Sequence, residues 1–109
     1  MDQTYGYVRV STQEQNEARQ LAAMQKFGVA QENIIVEKIS GKDFHRPRYQ
    51  RLVKALQPGD VLVVKSIDRL GRNYNEILEQ WGAITKKQKA AIVVLDMPLL
   101  DTRQGRDLT

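Results

Sequence analysis

Apolar residues along the chain change their spacing several times, and these changes predict alternating strands and helices. Four short runs are rich in β-branched, aliphatic or aromatic residues, as strands are; they cover residues 5–10, 34–39, 61–64 and 91–95. Between them, apolar residues recur every three to four positions, which is the spacing of an amphipathic helix. The three predicted helices cover residues 12–27, a stretch carrying Tyr49, Leu52, Val53 and Leu56, and a stretch carrying Ile77, Leu78, Trp81 and Ile84.

Residues that begin and end helices support these boundaries. Ser11 opens a capping-box pattern at the start of the first helix. Gly28 is placed to end that helix in a left-handed conformation. Asn73 or Asn75 is expected to cap the third helix. Gly82 lies inside the third helix, where glycine is unfavourable, and we expect a close packing contact there.

The predicted order of elements is βαβαβαβ, which indicates an α/β domain with a largely parallel central sheet flanked by helices. The most apolar run, at residues 61–64, is expected to be a central strand covered on both faces. At 109 residues the chain is one domain. Residues 101–109 are polar and show no periodicity, so we expect the natural protein to continue and this chain to be its N-terminal part.

Composition and charge exclude several kinds of site. The chain has no cysteine and one histidine, His45, so a disulfide framework, a cysteine nucleophile and a histidine-rich metal site are excluded. No apolar run approaches the length of a membrane helix, and the first residues lack a signal-peptide pattern; we therefore expect a cytoplasmic protein. A net charge of +4 weakly favours a polyanionic partner.

Candidate chemistry lies where the predicted strands end, because open α/β sheets bind ligands outside the carboxyl ends of their strands. Ser11 follows the first strand, and four arginines are expected to gather around it: Arg9, Arg46, Arg69 and Arg72. Like charges gather where an anion offsets them, and phosphate suits guanidinium groups. Ser11 also begins a helix, whose N–H groups favour an anion. From the residues alone, separate structural roles for these side chains explain the pattern equally well.

Other phosphate and metal chemistries fit the sequence less well. Neither a P-loop nor a G-x-G-x-x-G turn is present. Asp60 and Asp68 are candidate Mg²⁺ ligands for a metal-dependent nuclease, but the neighbouring arginines compete for the same oxygens. The main alternative is an α/β phosphate-binding, DNA-binding or regulatory module that uses the arginines without chemistry.

Four segments, in order, resemble motifs of the serine recombinases, the resolvase and invertase family. The first is residues 7–15, with the sequence YVRVSTQEQ. The second is Ser40-Gly41 followed by Arg46, the third is residues 59–62, GDVL, and the fourth is residues 67–72, IDRLGR. The resemblance extends from about residue 4 to the end of the chain.

The resemblance implies a resolvase-like catalytic domain whose substrate is DNA. In this family Ser11 would attack a DNA phosphodiester and form a 5′-phosphoserine intermediate, and strand exchange and religation would follow. Arg9, Arg46, Arg69 and Arg72 would hold the phosphate oxygens in place of metal ions, so no cofactor is expected.

The resemblance also implies supporting roles around the phosphate. Asp68 would orient the arginines, and Tyr7 and Asp60 occupy motif positions with a more structural role in that support. Three further side chains are expected to support the phosphate site directly: Ser40, Gln15 and Gln20.

Members of the family continue into a long dimerisation helix and a DNA-binding region. The resemblance therefore implies a homodimer that pairs into a tetramer on DNA, with most interface residues beyond Thr109. We expect residues 1–109 by themselves to bind DNA weakly and not to recombine it.

Overall fold

The structure, a computed structural model, describes residues 3–11, 17–39 and 46–97. The predicted order of elements is confirmed: β1 (Thr4–Ser11), α1 (Glu17–Phe27), β2 (Ile34–Ile39), α2 (Pro47–Ala55), β3 (Val61–Val64), α3 (Tyr74–Gly82) and β4 (Ala91–Val94). Two 3₁₀ turns cover Gln31–Asn33 and Ile67–Arg69, and α3 continues into a π-helical turn, Ala83–Lys87. Residues 12–16 of the predicted first helix, and the polar segment 101–109, lie outside the described residues. None of the described helices is long and apolar enough to cross a membrane.

The sheet is parallel throughout, with the strand order β2-β1-β3-β4. This confirms the largely parallel sheet expected from the sequence. Ser11 is aligned with Ile39, and Tyr7 is aligned with Val64. The segments that follow β1, β2 and β3 therefore leave the sheet at the same edge, which we call the carboxyl edge.

Hydrophobic packing covers both faces of the sheet. On one face Tyr7, Leu62 and Val64 pack with residues of α2 and of the α3 region. On the other face Val8 and Val63 pack against Met24 of α1. Because β3 contributes buried side chains to both clusters, the prediction of a doubly covered central strand is confirmed.

Two predicted helix boundaries are confirmed by their hydrogen bonds. Gly28 has a positive φ of 114°, and the N–H groups of Gly28 and Val29 donate to the Met24 carbonyl at 3.1 and 3.0 Å. This is how glycine ends a helix. At α3, the cap is Asn73: its side-chain oxygen accepts from the Glu76 N–H at 2.9 Å.

Two expectations about α3 are wrong. Leu78 is 51% exposed, although it belongs to the predicted apolar stripe. It lies about 100° round the helix from Ile77, on the same side as the exposed Tyr74 one turn earlier. Gly82 makes no close packing contact, since a Cβ built there meets nothing within 4 Å. The stripe that reaches the core is narrower than the apolar pattern suggests.

Gly82→Ala is expected to stabilise the fold by about 0.5–1 kcal/mol, because alanine fits the helical backbone at φ −64° and restricts the unfolded chain. Gly71→Ala is the contrasting change: its Cβ would lie 2.8 Å from the Ile77 nitrogen, so we expect a loss of about 1–3 kcal/mol. Urea unfolding of both variants measures the two effects. A destabilised Gly82→Ala would contradict the open surroundings of this position.

Candidate active site

Arg9 spans from β1 to the segment after β3 at the carboxyl edge. Its Nη2 donates to the backbone carbonyl of Asp68 at 3.1 Å. Asp68 lies in the 3₁₀ turn Ile67–Arg69, which directly follows β3. Ser11 ends β1 two residues after Arg9; the structure describes the backbone of Ser11 but not its side chain. The expected neighbours of Ser11 at this edge therefore include Arg9 and the turn after β3.

Arg69 and Arg46 both lie close enough to Arg9 to interact with it electrostatically. Burial lowers the pKa of Arg9 from its usual value, the nearby Arg69 cation lowers it further, and Arg46 adds a smaller effect in the same direction. Positive charge is thus concentrated at the carboxyl edge at an electrostatic cost, which a bound anion would offset. Arg9, Arg46 and Arg69 are three of the four arginines expected to gather there.

Arg46, at the start of α2, is hydrogen-bonded to the turn after β3. The residue is 4% exposed. Its Nη1 donates to the carbonyl of Arg69 at 2.8 Å, and its Nη2 donates to the carbonyl of Leu70. The guanidinium lies over the ring of Tyr49, with Cζ 3.9 Å from the ring centroid. Because Arg46 holds the backbone of Arg69, it fixes the position from which the Arg69 side chain extends.

Arg72 lies on the α3 side of this cluster. Its side chain is 60% exposed, and its Nη2 is 3.7 Å from Oε2 of Glu76. Nη2 of Arg46 is 4.0 Å from Oε1 of the same carboxylate. Glu76 therefore connects Arg72 to Arg46.

Asp68 contacts both Arg9 and Arg69. Its backbone carbonyl accepts from Arg9, and its carboxylate raises the pKa of Arg9 by electrostatic attraction. The carboxylate is 65% exposed, accepts from the Ser66 hydroxyl at 2.5 Å and lies 3.9 Å from Nε of Arg69. Asp68 thus interacts with Arg9 through its main chain and its side chain, and with Arg69 through its side chain.

Glu37 is a buried carboxylate that the sequence interpretation missed. Its oxygens accept from the Tyr7 hydroxyl at 2.8 Å and from the backbone N–H groups of Arg48 and Tyr49 at 2.8 and 3.2 Å. It caps the first turn of α2 from the neighbouring strand, where it is aligned with Arg9. The available signal was an acidic residue in the middle of an otherwise mostly apolar strand.

Tyr7 is fully buried and occupies the structural position that the resemblance implied. Its ring centroid is 4.9 Å from that of Tyr49, and its hydroxyl is bonded to Glu37. Burial raises the pKa of Tyr7, and the Glu37 carboxylate raises it further. Burial also raises the pKa of Tyr49.

The two raised pKa values predict that the fold loses stability as pH rises above about 10. Unfolded tyrosines ionise near pH 10, whereas Tyr7 and Tyr49 ionise later in the folded state. The unfolded state then binds fewer protons, so the free energy of unfolding falls by about 1.4 kcal/mol per pH unit for each tyrosine. Urea unfolding between about pH 8 and about pH 11, on either side of the ordinary tyrosine pKa, measures the slope. Tyr49→Phe should reduce it, and Tyr74→Phe, at a position 73% exposed, should not; equal slopes for the two variants would refute the assignment.

Gln20 approaches the candidate site from the face of the sheet that α1 covers. It is buried on α1, and its Nε2 donates to the carbonyl of Arg9 at 3.4 Å. This contact supports the backbone of β1 just before Ser11. Ser40 and Gln15, the other two expected supporting side chains, lie outside the described residues.

Asp60 lies at the opposite edge of the sheet from the arginines, which corrects its assignment to phosphate support. It directly precedes β3, and its two oxygens accept from the N–H groups of Gln3 and Gln57 at 2.9 and 2.8 Å. Its role is structural, closing the turn into β3. Asp68 follows β3, so the strand separates the two carboxylates proposed as Mg²⁺ ligands. The described ranges contain no cluster of three or more histidine, aspartate or glutamate side chains arranged to hold a metal.

Comparisons with known proteins agree with the fold. The family model of the resolvase N-terminal domain matches residues 4–108. The chain is 43% identical over 85 residues to the Tn21 transposon resolvase of Escherichia coli, covering 78% of this chain and 43% of that protein. It is 45% identical over 73 residues to the DNA-invertase of Escherichia phage P1, covering 67% of this chain and 38% of that protein. The chain thus spans about two fifths of the length of these curated relatives.

A solved structure is similar over nearly the whole chain. The crystal structure of the N-terminal catalytic domain of TP901-1 integrase matches with a TM-score of 0.72 and 25% sequence identity. The match covers 94% of this chain and 82% of that one. The sequence relatives and the structural relative therefore indicate the same kind of domain.

Proposed function

Because the chain belongs to the family of resolvase N-terminal domains, we propose that it is the catalytic domain of a serine recombinase, which cleaves and rejoins DNA at specific sites. The observation that carries the proposal is the convergence of Arg9, Arg46 and Arg69 at the carboxyl edge, beside the end of β1. Ser11, the last residue of β1, is the nucleophile in this proposal.

The proposed reaction exchanges one phosphate ester for another. The Ser11 oxygen attacks phosphorus in a DNA phosphodiester, the bond from phosphorus to the 3′ oxygen breaks, and a 5′-phosphoserine link forms. The serine hydroxyl loses its proton, and the departing 3′ oxygen gains one. After strand exchange, a 3′ hydroxyl attacks the phosphoserine, and the same steps in reverse rejoin the DNA and release Ser11.

The arginines stabilise the charge that develops on the phosphate in the transition state. Arg9 and Arg69 are placed to bind the non-bridging oxygens, which suit the planar guanidinium group. Arg46 is a positioning residue for Arg69, and Arg72 completes the positive charge from the α3 side. Asp68, Gln20, Gln15 and Ser40 support this arrangement. Since arginine side chains supply the charge, the proposed step requires no metal ion or other cofactor.

The proposal includes the assembly in which the domain acts. Recombination exchanges strands between two DNA sites, so we propose a homodimer on each site and a tetramer when the sites pair. We also propose that the protein acts in the cytoplasm. These aspects belong to the complete recombinase rather than to the domain by itself.

The test is a covalent link between protein and DNA. The complete gene product is incubated with DNA flanking its own gene in the presence of EDTA, and the mixture is run on a denaturing gel. We expect an adduct that resists EDTA, disappears in Ser11→Ala and persists in Thr85→Ala, whose hydroxyl donates to a carbonyl within the α3 region. An adduct that survives in Ser11→Ala would show that the nucleophile is wrong. DNA binding without any adduct would favour the non-catalytic module.

A further inference from the structure

A groove crosses the open edge of the sheet at β2, between the start of α1 and α2. It has a volume of about 520 Å³. Within the described part of the sheet, β2 pairs only with β1, so its other side is an edge. We call this feature the β2 edge groove; its lining includes Glu17, Val36, Glu37, Lys38, Arg48 and Arg51.

Three exposed cations give the β2 edge groove a positive balance of charge. Arg48 and Arg51 are three residues apart on α2 and so lie on one face of it, and Lys38 is on the edge strand. Nη1 of Arg48 donates to the Val36 carbonyl at 3.1 Å, which holds this guanidinium across the edge while its other N–H groups remain for a ligand. Arg51 and Lys38 form no ion pair with any residue that the structure describes.

The two acidic residues of the groove reduce this positive charge but do not outweigh the three cations. Glu37 is 5% exposed, and its carboxylate already accepts three hydrogen bonds from Tyr7 and from the first turn of α2. Glu17 is partly buried at the start of α1. The groups that face solvent along the groove are therefore mainly cationic, as in surfaces that bind a phosphate backbone.

The carboxyl end of the groove lies near the end of β1. In the parallel pairing of β1 with β2, Lys38 is aligned with Val10, and the next pair is Ile39 with Ser11. Neighbouring strands lie about 4.8 Å apart, so the carboxyl end of the groove begins one strand away from Ser11. A polyanionic chain with one phosphate at Ser11 would therefore have neighbouring phosphates near the groove.

We propose that the β2 edge groove holds the DNA backbone beside the cleavage point, with Arg48 and Arg51 contacting phosphate oxygens and Lys38 adding to the attraction. This inference rests on the proposed function and adds a second phosphate site to it. The contacts position the DNA and do not read its sequence, because backbone phosphates carry no direct sequence information. They take no part in the chemical step.

The test measures how salt weakens DNA binding. Each phosphate contact adds about 0.9 to the slope of log binding constant against log salt concentration. Fluorescence anisotropy with the 109-residue chain and a labelled DNA duplex gives this slope. The double variant Arg48→Gln/Arg51→Gln is expected to lower it by about 1.8. The matched control is Lys86→Gln/Lys87→Gln, which removes the same charge from exposed positions on the π-helical turn and should change the slope less. Thermal unfolding confirms that both variants fold.

The outcomes separate this inference from the proposed function. Equal slopes for the two double variants would overturn the groove and leave the Ser11 reaction standing. A lowered slope for Arg48→Gln/Arg51→Gln, in a protein whose complete form makes no Ser11 adduct, would support the groove and overturn the reaction. Absence of DNA binding at low salt would overturn the groove. Polyglutamate that binds as tightly as DNA, with the same dependence on Arg48 and Arg51, would assign the groove to acidic chains in general and overturn its assignment to DNA.

Discussion

Arg46→Met is expected to lower the free energy of unfolding by about 3 kcal/mol. The change removes a buried cation that donates to the carbonyls of Arg69 and Leu70, and each buried acceptor left without a donor costs about 1–3 kcal/mol. Methionine keeps much of the volume over the Tyr49 ring, so the loss reports the hydrogen bonds rather than a cavity. Urea unfolding measures it, with Arg19→Met at an exposed position of α1 as the control.

The same change should also slow DNA cleavage, because the turn that carries Arg69 loses its anchor. Arg46→Lys separates charge from anchoring: lysine keeps the positive charge but lacks the planar fork that serves two carbonyls at once. We expect Arg46→Lys to recover little of the lost stability. Full recovery with lysine would contradict the anchoring role, as would an Arg46→Met variant as stable as the parent.

Arg9→Met, unlike Arg46→Met, is expected to reduce DNA cleavage strongly and the free energy of unfolding only slightly. Cleavage should fall by about 10²–10³-fold, the typical result of removing one preorganised donor to a transition-state oxyanion. The free energy of unfolding should change by less than about 1 kcal/mol, because the lost hydrogen bond to the Asp68 carbonyl is offset by relief of a cation that burial and Arg69 disfavour. Single-turnover cleavage and urea unfolding of the same variant measure the two effects.

Arg9→Met and Arg46→Met thus distinguish a residue that touches substrate from one that positions another residue. A large loss of stability in Arg9→Met would show that Arg9 is mainly structural. Cleavage at the parent rate in Arg9→Met would remove this residue from the phosphate site. A functional site that holds unfavourable charge in the absence of its ligand reduces the stability of the fold. Removing that charge is therefore expected to lower activity with little loss of stability.

The parallel topology explains why the main features of the site were accessible from sequence. Residues 5–10 and 61–64 are recognisable as parallel strands. Arg9 lies near the carboxyl end of the first and Arg69 follows the second, so the two arginines must lie at the same edge of the sheet. The same rule places Asp60, which precedes a strand, at the opposite edge. The expectation that Asp60 supports the phosphate site rests on its motif position alone. The direction of the strand that follows it rules this out.

Sequence patterns do not predict the contacts between side chains and the main chain. Arg46 was expected to hold phosphate, but its described hydrogen bonds are to the carbonyls of Arg69 and Leu70. The positions of these carbonyls depend on the backbone conformation of the turn after β3. The residue types in the turn do not determine that conformation. Glu37 was overlooked for a similar reason, since two of its three donors are backbone N–H groups of α2. At Gly82 the apolar periodicity indicated a helix but not which neighbours the helix would meet.

Peptide mapping tests whether Ser11 becomes covalently attached to the 5′ end of cleaved DNA. The adduct formed in EDTA is digested with nuclease and protease, and tandem mass spectrometry locates the nucleotide on the protein. We expect a nucleotide joined through its 5′ phosphate to Ser11, with a free 3′ hydroxyl on the other DNA end. A nucleotide on any other residue, or a link through a 3′ phosphate, would contradict it.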